Sequence, residues 1–157
     1  MAKIPLTSIQ QADINMSLSW KENSRQLFEL AKDLEKFSYA VHWCGRYANV
    51  SRTVPKGKFD AFVSWLYDHF DAIKNGTFSY TDNNISDFSK YPRSWIAKIC
   101  HIINPHAYPL IWDSHVREWL KKNNITWENA MNDTKSKFQN APDYDIYLYD
   151  STLWACE

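Results

Sequence analysis

The chain has 157 residues, 45% of them hydrophobic and 23% charged, with eighteen basic side chains against eighteen acidic ones. That length suits one domain, 1–157, with a core of its own; the composition excludes disorder, and a formal charge of zero excludes a protein that grips nucleic acid by bulk charge alone. No apolar run approaches the roughly 18 residues that cross a bilayer, so a soluble protein without a membrane partner is expected.

In chain order, Leu27, Leu30, Ala31 and Leu34 recur at three and four and predict an amphipathic helix from about 23 to 37. The aromatic stretch 39–54 is irregular and reads as a short helix or buried loop. Phe59, Phe62, Val63, Leu66, Phe70 and Ile73 predict a helix over 58–74, stopped by Asn75-Gly76. Residues 76–93 are polar. Trp95, Ile96, Ile99, Cys100 and Ile103 form a helical stripe that Asn104-Pro105 ends, and 106–112, held by Pro105 and Pro109, reads as an extended connector. Asp113 or Ser114 caps a helix carrying Val116, Trp119 and Leu120, Thr126 caps another, and Pro142 opens a last one running to about Trp154. No alternating strand pattern is present. The fold class expected is all-α, a compact bundle of six to eight short helices.

Three glycines leave few places for a tight phosphate loop, and neither GxGxxG nor GxxxxGK occurs, so no nucleotide cofactor is implied. Cys44, Cys100 and Cys156 share no CxxC spacing, which points to reduced thiols rather than a disulfide framework or zinc knuckle. The opening Met1-Ala2-Lys3-Ile4-Pro5 lacks an apolar signal core, so a cytoplasmic setting is expected. His101, His106, His115 and Cys100 lie close in sequence but lack the spacing of a metal site, and none is expected; His101 reads as a core histidine. Cys44 beside His42 reads as a buried, inert thiol. Asp143 and Asp145 suit the first turn of the helix opened by Pro142.

The stretch from Lys90 to Arg117 carries the most chemistry. An apolar helix leads through a proline-pinned connector to Asp113 at a helix start, where backbone N–H groups and the helix dipole favour an ionised carboxylate. Simple capping also accounts for an Asp in that place. Between 88 and 122, six basic residues (Lys90, Arg93, Lys98, Arg117, Lys121 and Lys122) face two acids, Asp113 and Glu118. The rest of the chain is correspondingly acidic, so a local basic patch could neutralise a few phosphates.

Residues Ser94 to Leu120, with Trp112-Asp113-Ser114-His115-Val116-Arg117, resemble the core of the helix-hairpin-helix DNA glycosylase superfamily, and Asp150-Ser151-Thr152-Leu153-Trp154 is similar to a closing motif of some glycosylase-like proteins. The resemblance covers about 84–122 and implies DNA binding and excision of a damaged or modified base by cleavage of its N-glycosidic bond. By it, Asp113 is the catalytic carboxylate that stabilises positive charge developing on the sugar. Lys98 is the candidate amine, although the family's lysine position falls on Ser94 if 89–94 is the hairpin. Trp95, Trp112 and Trp43, with Ser94 and His115, would contact a flipped base. Lys90, Arg93, Arg117, Lys121 and Lys122 would contact DNA. The hairpin Ser89-Lys90-Tyr91-Pro92-Arg93-Ser94 has no glycine, and Pro92 removes a backbone donor, so phosphate contact falls to Lys90 and Arg93 side chains. An alternative from another class is a catalytically silent helical module that docks a protein partner or DNA through its Trp-rich surface.

Overall fold

A computed structural model describes residues 6–47, 56–80 and 93–156. Among them are eight helices and no strand: α1 (Ser8–Glu29), α2 (Leu34–Tyr47), α3 (Lys56–Asp68), α4 (Phe70–Asn75), α5 (Arg93–Ile103), α6 (Ser114–Lys122), α7 (Trp127–Lys137) and α8 (Asp143–Ala155). No described helix is long and apolar enough to cross a membrane.

α1 begins fifteen positions before the expected helix start at 23. Thr7 forms a capping box: its hydroxyl accepts from the Gln10 N–H at 3.1 Å, and the Gln10 side chain accepts from the Thr7 N–H at 2.9 Å. The inward stripe is Ile14, Leu18, Lys21, Ser24 and Phe28, a true three-and-four spacing hidden because two of its members are polar. Helix 23–37 is also two helices. α1 stops at Leu30, and Asp33 restarts the chain by accepting from the Lys36 N–H at 2.9 Å. α2 then covers 39–47 of the stretch read as a short helix or buried loop, and the rest of that stretch lies outside the described residues.

The helix expected over 58–74 breaks at His69, whose φ of −99° and ψ of 5° leave helical geometry. Gly76, at φ 76°, ends α4 in the left-handed region that suits glycine, and the Asn104 amide donates to the Lys74 carbonyl at 2.8 Å. Asn104 thereby joins the end of α5 to the end of α4. The connector after it is not extended throughout. The Tyr108 N–H donates to the Asn104 carbonyl at 3.0 Å, forming a turn before the chain straightens towards Asp113.

α5 is the central helix, with Trp95, Ile96, Ala97, Ile99, Cys100, His101 and Ile102 all buried. α1 packs on α8, α2 and α5; α2 packs on α3 and α5; and α6 sits between α7 and α8. Trp95 stacks on Phe62 with ring centroids 4.9 Å apart and lies 5.3 Å from Phe59. A smaller cluster, Leu110, Val116, Leu120, Ala130 and Leu153, fixes α6 against α7 and α8. The two clusters meet at the connector that delivers Asp113.

Candidate functional site around Asp113

Asp113 is the N-cap of α6, in extended geometry, and its Oδ1 accepts from the Val116 N–H at 2.8 Å. Its own N–H donates to the Ile111 carbonyl at 2.9 Å. The cap and the helix dipole favour the ionised carboxyl, as expected, but burial works against them. Burial pushes its pKa above the usual carboxylate range, the Asp150 carboxylate adds to the push, and the Val116 N–H, Lys98 and His115 only partly oppose it. A desolvated carboxylate interacts more strongly with any nearby positive charge than one in water does.

Lys98, on α5, is half-buried and lies where its charge is felt by Asp113, Lys21 and Cys44. His115 is exposed on the first turn of α6, edge-on to Trp154 with centroids 5.9 Å apart. Asp113, Lys98 and His115 therefore share one region formed by α5, α6 and α8.

Behind them lies a cluster that sequence reasoning missed. The Lys21 ammonium of α1 is 2.8 Å from Asp150 Oδ2 of α8, and it also donates to the Tyr147 carbonyl at 3.2 Å. Asp150 Oδ1 accepts from the Ile111 N–H at 2.8 Å. Both side chains are almost wholly buried. Burial opposes both charges. Lys21 is drawn below its ordinary range despite the carboxylate, whereas the ammonium and the Ile111 N–H hold Asp150 below its own. His101 Nδ1 bonds the Tyr108 carbonyl at 2.8 Å and so carries the proton, while Nε2 faces Asp150 Oδ2 at 4.0 Å. Burial and the nearby Lys21 push the His101 pKa down to about 3, so this imidazole is neutral and forms no ion pair at neutral pH. The available signal was the polar pair Lys21 and Ser24 at stripe positions of α1.

The remaining predicted residues divide. Trp95 is fully buried, and this corrects the expectation that it lines an open pocket: its ring fills the core between Phe59, Phe62 and Gly45. Trp43 is half-buried against the same core. Trp112 meets Trp127 edge-on at 4.8 Å, with the Arg117 guanidinium 5.0 Å from its ring centre. The Arg117 Nε also donates to the Asp113 carbonyl at 3.2 Å. Trp112, Trp127, Tyr108 and Phe78, with Arg93 and Lys135, line an open cavity of about 650 Å³. Lys121 and Lys122 are exposed in the last turn of α6, about two turns from Asp113. Lys90, the hairpin 89–92 and the Ser94 side chain lie outside the described residues.

Cys44 is buried and its thiol is pushed up to about 12 by desolvation, which suits a core residue and not a nucleophile. Among the described residues, no three His, Cys, Asp or Glu side chains converge to hold a metal. No family model, curated protein or solved structure matches the chain.

Proposed function

We propose that this protein is a helix-hairpin-helix glycosylase-like enzyme that binds DNA and excises a modified or damaged base by hydrolysing its N-glycosidic bond. The observation that carries the reading is a desolvated carboxylate, Asp113, held at the start of α6 with Lys98 acting on it from the preceding helix. Cleavage of the bond builds positive charge on the sugar ring, and a fixed carboxylate in a partly water-excluded place lowers the energy of that state. Its raised pKa also suits a group that takes a proton from an attacking water. Lys98 is the amine that would attack the sugar carbon if strand cleavage accompanies base release. Arg93 and Arg117, flanking Trp112, and Lys121 and Lys122 would meet the phosphates.

The test is incubation of wild type and Asp113→Asn with duplexes bearing a panel of modified bases, scoring free base and strand nicks separately. Asn caps a helix about as well as Asp, so the variant keeps its fold to within a few tenths of a kcal/mol while losing the charge. Release by wild type and not by Asp113→Asn supports the assignment, and loss of nicking alone in Lys98→Gln assigns the amine.

A second reading rests on the bond from Val116 N–H to Asp113 Oδ1, which accounts for the residue as a cap without chemistry. The same incubation separates the two. No release with salt-sensitive binding identifies a DNA-binding module, and neither release nor binding identifies a protein-interaction module.

A further inference from the structure

We propose that Asp150 is the positioning residue for Asp113: with Lys21 on one oxygen and the Ile111 N–H on the other, it pins the connector two residues ahead of the carboxylate and sets where that carboxylate stands. The inference rests on the glycosylase-like reading and extends it to a buried pair that touches no substrate.

The path is continuous in hydrogen bonds. Lys21 Nζ donates to Asp150 Oδ2 at 2.8 Å, the Ile111 N–H donates to Asp150 Oδ1 at 2.8 Å, and the Asp113 N–H donates to the Ile111 carbonyl at 2.9 Å. Ile111 is itself buried, so its N–H needs an acceptor wherever the connector runs. An amide at position 150 would satisfy that donor without the cost of burying a charge. The carboxylate adds something an amide does not, a negative charge directed at Asp113. The charged and titratable groups around Asp113 come from every neighbouring element: Lys21 from α1, Lys98 and neutral His101 from α5, His115 from α6 and Asp150 from α8. Of these, Asp150 alone is negative, so it opposes ionisation of Asp113 while Lys98 and His115 promote it. One side chain thus serves both the placement and the protonation of the site.

The experiment follows the Asp113 carboxyl by carbon NMR through a pH titration in wild type and Asp150→Asn, with base release measured alongside. In Asp150→Asn the Asp113 midpoint falls, because a negative neighbour has gone. A midpoint equal to that of wild type overturns the proposal. Lys21→Met/Asp150→Asn and Lys21→Met/Asp150→Ala bury no charge at the pair and keep the test readable if the single variant does not fold. They differ in the acceptor for Ile111. The Asn form retains slow exchange of the Ile111 amide and most base release; the Ala form loses that protection and about 100-fold in kcat, the scale of a 1 Å misplacement, with little change in KM. Equal amide exchange and equal kcat in the two double variants overturn the proposal. The titration and the exchange need no turnover, so absence of base release by wild type counts against the glycosylase-like reading and leaves the positioning claim to be decided by NMR.

Discussion

Lys21 and Asp150, 129 positions apart, form an ion pair of 2.8 Å inside the core, joining α1 to α8. Ser17 and Ser151, whose hydroxyls are 2.8 Å apart, tie the same two helices nearby. Lys21→Met alone leaves a buried carboxylate without its cation and is expected to cost about 3–5 kcal/mol in urea unfolding. Adding Asp150→Asn removes the stranded charge and keeps an acceptor for Ile111, so the double variant is more stable than Lys21→Met. A double variant that is less stable would mean that the pair holds the fold by something other than compensated charge.

His101 makes the fold sensitive to acid. Its pKa in the folded state is about 3, against an ordinary value of 6.5, so between those limits the unfolded chain binds a proton that the folded chain does not. Stability from this group is complete above pH 6.5 and falls by about 1.4 kcal/mol per pH unit on acidification below it. Asp150, held low, loses its contribution in the same direction, whereas Asp113, held high, opposes it. Unfolding free energy measured from pH 7 to pH 4 is expected to drop less steeply in His101→Gln than in wild type.

Gly45 sits under Trp95. A Cβ placed there meets the indole Cζ2 at 3.0 Å, and the ring has little room to retreat between Phe59 and Phe62. Gly45→Ala is therefore expected to destabilise by about 1–3 kcal/mol despite the better helix propensity of alanine. Thermal unfolding of the pair measures it, and an unchanged or raised Tm would show that the ring yields.

Gly76→Ala carries two penalties. The residue is at φ 76°, and a Cβ would stand 2.9 Å from the Ala107 Cβ. A left-handed non-glycine residue costs about 1–2 kcal/mol before any clash. Because the Asn104 amide holds the adjacent carbonyls of α4, Asn104→Ala is expected to couple with Gly76→Ala in a double-mutant cycle.

The C-terminal half was the more legible in sequence. Asn104-Pro105, Asp113, Thr126 and Pro142 are local signals, each acting through its own backbone, and α5 to α8 begin or end beside them. The N-terminal half misled because its decisive features are tertiary. Lys21 and Ser24 interrupt the apolar stripe of α1 since they face polar partners or tight places in the core, and a periodicity reading treats both as solvent-facing. His69 breaks α3 from α4 without glycine or proline to announce it. The same distinction holds at the site. Asp113 and Lys98 could be picked out from a helix, a connector and a cap, whereas Lys21 and Asp150 are polar residues on separate helices whose meeting no spacing encodes.

The buried pair also imposes an order on synthesis. A ribosome makes Lys21 129 positions before Asp150, and Ile111 39 positions before it. Until Asp150 emerges, docking α1 would mean hiding an ammonium with no counterion, at a cost of several kcal/mol. Packing α1 on α2 and α5 before then buries apolar surface but leaves Lys21 without its partner, and the Ile111 N–H meets its carboxylate only when α8 arrives. Protease added to stalled chains of increasing length should therefore find α1 open until residue 150 is free to fold, and protected after it.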